Sequence, residues 1–289
     1  MNRTIIFASL LILAVTVDAQ APNDVDTRRA CTSIAVGKKA STDGSIITTH
    51  TVDGDCRTWA KWVAAQDYEK GAMEPVFQGR MYTQSFDDST KVYKKGEIPQ
   101  VAHTYRYLDV AYPCINEKQL GIGETTIFGR KMLQNRNSMF MIEELQRIVL
   151  ERCTTAREAI RLIGELVKTY GYADTGECLT IADPNEVWFF EIFGEGSDRK
   201  GGVWAAVRVP DDEVAVSANI PRIGHINVND TENCMASDNI FDVAKRLKLW
   251  NGKDEFRMWK VYGGTNLEKK DKNYDSREFF ILSTLAPSL

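Results

Sequence analysis

The sequence predicts an α+β fold of antiparallel sheets overlaid by helices, and three stretches carry that expectation. Two β-rich runs, Cys31 to Gly37 and Ser45 to Thr51, flank an Asp43-Gly44 turn and read as a hairpin. Apolar residues recur at helical spacing over 139–170, which gives two adjacent amphipathic helices able to cover one face of a sheet. Four runs over 178–219, broken at Asp183-Pro184-Asn185-Glu186 and Pro210-Asp211-Asp212-Glu213, read as an antiparallel meander.

The chain begins with a targeting pattern. Arg3 precedes an apolar stretch from Ile5 to Val17, and Val17-Asp18-Ala19 fits small-residue cleavage. Residues 1–19 are expected to be a signal peptide, because thirteen apolar residues are short for a membrane span. The polar residues 20–30 then read as a propeptide, and residues 31–289 as the domain. Export implies a secreted or periplasmic protein, with no membrane attachment after cleavage.

In the remaining chain, residues 55–110 mix aromatics with charges and read as strands and long loops. Residues 111–130 read as strand, turn, strand, with Asn116 at the corner, where asparagine commonly caps its own turn. Thr155 and Glu158 form a capping box that starts the second helix, and Gly171 ends it. The charges of both helices are expected on a solvated face. Asn219 falls at the end of the last meander strand, where site residues often project. The final stretch from Tyr274 is apolar and looks packed.

Composition excludes some functions. At 43% apolar and 26% charged the chain is an ordinary globular one. Net charge is −4, and removing residues 1–30 takes away three arginines and three aspartates, so it stays −4. With no basic patch, nucleic acid is not an expected partner. The three histidines have no metal-site spacing and no C-x-x-C occurs, so neither a metal nor another cofactor is expected. Export favours cysteine pairing, but the sequence does not say which of the cysteines pair, and self-association stays open.

The chemistry centres on Cys31. A cysteine opening the first strand would, after a cut between Ala30 and Cys31, carry a thiol and a free α-amino group. That amine titrates near pH 8. It can take the thiol proton and later protonate a leaving amine. An aspartate would hold the ammonium, and an asparagine amide with a backbone N–H would stabilise a tetrahedral oxyanion.

Cys31-Thr32-Ser33-Ile34, followed by Asp43-Gly44-Ser45, resembles the mature start of the secreted cysteine-nucleophile dipeptidases, the dipeptidase A and secernin family. That family belongs to the N-terminal-nucleophile hydrolases and is similar, more distantly, to bile-salt hydrolases and penicillin V acylases. The resemblance implies a four-layer αββα sandwich of two antiparallel sheets flanked by helices, matured by autocatalytic cleavage before Cys31. It implies an Asp53 contact to the nucleophile's amino group and an oxyanion role for Asn116, in Cys-Ile-Asn-Glu-Lys. It also implies a second site asparagine at Asn219, in Ser-Ala-Asn-Ile-Pro, and a site arginine at Arg277, in Ser-Arg-Glu-Phe. His50 stands where many relatives hold an arginine, three residues before the aspartate, and is assigned to substrate binding. Cys56 lies nearby, and Gln119 replaces a turn glycine. Relatives usually extend further at the C-terminus, so the domain is expected to be truncated. The implied activity is hydrolysis of short peptides through a thioester acyl-enzyme. An amidase acting on a non-peptide amide and a non-catalytic secreted module are the alternatives.

Overall fold

The structure is a computed structural model describing residues 31–264 and 276–287. The expected signal peptide and propeptide, residues 1–30, lie outside the described residues. The chain is a mixed α/β protein of antiparallel sheets and helices.

The predicted hairpin forms from β1 (Thr32–Val36) and β2 (Ile47–Thr51), with Thr32 opposite Thr51 and Val36 opposite Ile47. The turn closes because Asp43 Oδ1 accepts from the Ser45 N–H at 3.0 Å and the Ser45 hydroxyl at 2.6 Å. Gly44 meanwhile takes φ 80°, which glycine adopts without steric cost.

The next stretch is strand and loop, as expected: β3 (Lys61–Val63), β4 (Gln66–Asp67), β5 (Met73–Gln78), β6 (Tyr93–Pro99), β7 (His103–Thr104), β8 (Tyr107–Asp109), β9 (Ile115–Asn116) and β10 (Gly121–Thr126). Two helices follow, α1 (Ile142–Arg152) and α2 (Ala156–Tyr170). Thr155 and Glu158 cap α2 reciprocally, and the Gly171 N–H bonds the Val167 carbonyl at its end. After them come β11 (Glu177–Ala182), β12 (Val187–Gly194), β13 (Gly202–Arg208), β14 (Val214–Ser217) and β15 (Cys234–Ala236), then short helices α3 (Ile240–Arg246) and α4 (Met258–Tyr262) and the helix Ser276–Leu285.

One sheet has eight strands in the order β15-β13-β12-β11-β10-β9-β8-β3, and a second has three, β14-β1-β2. The predicted meander is therefore corrected. Its first three strands are neighbours, but β14 leaves them and pairs with β1, Ser217 opposite Ser33. β15 takes the place beside β13. The large sheet is buried on both faces. Trp188, Phe190 and Ile192 pack with α1 and α2 residues such as Ile148 and Ile163. The alternating Val187, Phe189 and Phe193 pack with residues of α3 and α4. The three-stranded sheet lies against β10 and β11, and the helix Ser276–Leu285 lies against β14.

Two further expectations are corrected. The polar side chains of α1 are not solvated: Glu143, Glu144, Gln146, Arg147 and Glu151 are all buried. Arg147 explains most of this, with Glu144 at 2.9 Å, Glu151 at 2.8 Å and Glu74 of β5 at 2.6 Å. A buried guanidinium needs such partners. The final stretch is a helix but not a packed one, because Phe279 is 65% and Phe280 70% exposed.

Candidate active site

Cys31 is buried immediately before β1, and a cavity of about 890 Å³ opens on it. Asp53 and Cys56, from the segment after β2, share its lining, with Tyr82, Tyr112 and Phe128 as aromatic wall. Among the described residues no histidine lines it. The backbone N–H of Asp53 bonds the Cys31 thiol and favours the thiolate. Burial outweighs this and, with the charge of Glu124, pushes the thiol above its ordinary pKa. Such a thiol needs a base and a nearby positive charge before it becomes a nucleophile.

Arg277 ties the site together from the helix Ser276–Leu285. Its Nη1 donates to the Cys31 carbonyl at 2.7 Å, to Thr32 Oγ1 at 3.1 Å and to Asn219 Oδ1 at 3.2 Å. Its Nη2 donates to the Ala218 carbonyl and to Asn219 Oδ1, both at 3.1 Å. Asn219 Nδ2 in turn donates to the Thr126 carbonyl at 2.7 Å. That uses one of its two amide hydrogens. Asn219 sits at φ 63°, a left-handed conformation asparagine tolerates better than most residues. The structure thus brings Cys31, Asp53, Asn219 and Arg277 to one place.

It does not bring Asn116 or His50 there. Asn116 Nδ2 donates to the carbonyls of Leu150 at 2.8 Å and Cys153 at 2.9 Å. Its Oδ1 accepts from the Lys118 and Leu120 N–H groups, both at 3.0 Å. The side chain is a filled corner between the β9–β10 turn and the end of α1, and it is not among the cavity residues. His50 pairs in register with Ser33, whose hydroxyl bonds the Glu124 carbonyl at 2.8 Å. It is half-buried on β2, which lies against β10 and β11, it does not line the cavity, and burial lowers its pKa. Neither Asn116 nor His50 is thus among the residues that line the cavity or bond to Cys31.

Sequence reasoning missed the buried carboxylates. Glu143 of α1 and Glu177 of β11 both line the cavity. Glu143 is 4% and Glu177 2% exposed. Each leaves its Oε2 without a hydrogen-bond partner. Burial pushes Glu143 up to about 8, raises Glu177 further, and holds Glu124 up at about 7. Glu177 stands opposite Thr126, the residue whose carbonyl Asn219 holds.

All six cysteines are free thiols. Among the described residues no three His, Cys, Asp or Glu side chains converge as metal ligands, and no helix is long and apolar enough to cross a membrane.

A buried thiol on an acid-lined cavity, with no imidazole beside it, defines a candidate cysteine-nucleophile site. The chain belongs to peptidase family C69, whose model matches residues 30–289. It is similar to a protein named probable dipeptidase from Latilactobacillus sakei, 28% identical over 264 residues, covering 86% of this chain and 51% of that one. It is also similar to a probable dipeptidase B from Streptococcus pyogenes serotype M3, 26% identical over 274 residues, covering 89% and 50%. A probable dipeptidase from Salmonella dublin is 28% identical over 257 residues, covering 85% and 56%. The chain spans about half the length of the curated relatives it matches. Among solved structures it is similar to penicillin V acylase from Agrobacterium tumefaciens at 12% identity and a TM-score of 0.26, covering 78% of this chain and 57% of that one. That likeness is too slight to carry an argument.

Proposed function

We propose that this protein is an exported cysteine-type dipeptidase whose nucleophile is Cys31, uncovered by a cut between residues 30 and 31. The observation that carries the reading is Arg277 joining Asn219 to the carbonyl of Cys31, which itself lines a cavity. Two facts support it: the family match opens at residue 30, next to Cys31, and the named relatives are probable dipeptidases. The proposed layer order is α1 and α2, the large sheet, the three-stranded sheet and then the helix Ser276–Leu285, the αββα arrangement of N-terminal-nucleophile hydrolases. Residues 1–19 direct export and residues 20–30 are removed. Short peptides are the substrates.

In the matured chain the α-amino group of Cys31 takes the thiol proton, and Sγ attacks the peptide carbonyl carbon. A C–S bond forms and the carbonyl oxygen becomes an oxyanion. The Asn219 amide, through its second Nδ2 hydrogen, and the Asp53 N–H supply the donors for it. The C–N bond then breaks as the ammonium gives its proton to the leaving amine, which leaves a thioester. Water, deprotonated by the same amine, attacks the thioester and releases the acid and the thiol. Asp53 and Arg277 set the charge around this exchange.

Mass spectrometry of active protein tests the reading. The expected N-terminus is Cys31, and iodoacetamide should inactivate by labelling that residue. Active protein beginning at Gln20, or full turnover by Cys31→Ala, rules the mechanism out.

A further inference from the structure

The first turn of α1 holds two adjacent carboxylates with opposite fates. Glu144 is neutralised by Arg147 at 2.9 Å. Glu143, just as deeply buried, lines the Cys31 cavity, and its solvent-shielded Oε2 has no hydrogen-bond partner in the protein. Glu177, on the β11 strand opposite Thr126, lines the same cavity; it shares a carboxyl–carboxyl contact with Glu124 and has an Oε2 with no donor of its own. The basic side chains of the same cavity, Lys91, Lys95 and Arg136, hydrogen-bond neither of these oxygens. Buried carboxylates without partners are costly, and a protein retains them where something else supplies the counter-charge.

We propose that Glu143 and Glu177 are the receptor for the free α-ammonium group of the substrate, so that the site takes peptides by their unblocked N-terminus. This deepens the dipeptidase reading and rests on it. The placement suits the chemistry. In an aminoacyl substrate the ammonium-bearing carbon is bonded to the carbonyl under attack, so its receptor must adjoin the nucleophile. Glu143 and Cys31 both act electrostatically on Cys56, and all three line the cavity. Glu177 lies across the strand pair from Thr126, which Asn219 joins to Arg277 and the Cys31 carbonyl. An ammonium has three donors, enough to satisfy both unpartnered carboxylate oxygens. Burial raises the pKa of both groups, and an ammonium seated beside them would draw them back toward the carboxylate form. An acyl group in place of the ammonium would leave both carboxylates unsatisfied and add bulk.

The test compares L-leucyl-L-alanine with N-acetyl-L-leucyl-L-alanine as substrates of the mature enzyme and of Glu143→Gln. The near-isosteric change removes the ionisable carboxyl without opening a cavity. Wild type should favour the free dipeptide by about 30-fold or more in kcat/KM, the scale of one desolvated charge pair. Glu143→Gln should lose most of that preference, chiefly through KM, while iodoacetamide labels Cys31 at the wild-type rate. If melting shows that Glu143→Gln does not fold, Glu177→Gln is read in the same way. Equal cleavage of both peptides by wild type overturns the receptor assignment and leaves the dipeptidase standing. Equal losses on both peptides in the variant do the same. Cleavage of neither peptide by wild type overturns the dipeptidase, and this inference with it.

Discussion

Asn219 and Asn116 look alike in sequence, each an asparagine at a strand end, and the structure gives them opposite expectations. Asn219 spends one amide hydrogen on Thr126 and its oxygen on Arg277, leaving one donor for chemistry. Asn219→Asp keeps a residue tolerant of positive φ and an acceptor for Arg277, but it has no amide N–H. Its kcat should fall by roughly 10²–10³, with a melting temperature close to wild type. Asn116 has all four of its hydrogen bonds filled by backbone. Asn116→Ala should lower stability by about 1–3 kcal/mol while the folded fraction keeps its kcat. Both are read from paired melts and initial rates, and a swap of the two signatures would reverse the roles. Local spacing could not separate them, because what differs is the long-range partner: Arg277 for one, the end of α1 for the other. The same holds for Glu143. Spacing pairs it with Arg147 four residues on, yet Arg147 bonds Glu144 and turns to Glu74 on β5, so Glu143 is left to the cavity.

Elements were legible where their signals were local. The hairpin turn, the Thr155 capping box and the Gly171 stop are written within a few residues, and all three appear in the structure. Two features were not. β14 alternates like the strands before it, so nothing in its own residues says that it changes sheet. That choice is made by β1, which lies 178 residues or more away in the register (Val36 to Val214). The polar residues of α1 look solvated because amphipathic patterning assumes that water meets the polar face. Here the face meets β5, whose Glu74 and Pro75 carbonyl accept from Arg147. A buried polar network imitates a surface when read from one helix alone.

For the whole molecule, buried carboxyls set the response to pH. Burial raises Glu124 and Glu191 to about 7 and Glu143 to about 8. In the unfolded chain the same groups titrate near 4.3. Between these values the folded protein holds protons that the unfolded one has released, so stability is greatest at low pH and falls as pH rises. His50, whose pKa burial lowers, works the other way, but only below its unfolded value near 6.5. From about pH 6.5 to 8.5 the carboxyls act unopposed by it. The urea midpoint should therefore drop across that interval, and less steeply in Glu143→Gln. A midpoint that is flat or rising would show these carboxyls ionised in the folded state.

The clasp from Arg277 to the Cys31 carbonyl joins residues 246 positions apart. A chain emerging from the ribosome carries its nucleophile long before it carries the arginine that seats it. If the folded protein makes its own cut before Cys31, the cut waits until the helix Ser276–Leu285 has been made and docked. On the proposed function, maturation would then report that synthesis had reached that helix, and an interrupted chain would keep the residues before Cys31. Pulse-labelled chains stopped at residue 264 should keep the residues before Cys31, whereas chains carrying that helix lose them. On that reading the order of translation would guard against uncovering the thiol before Arg277 is there to seat it.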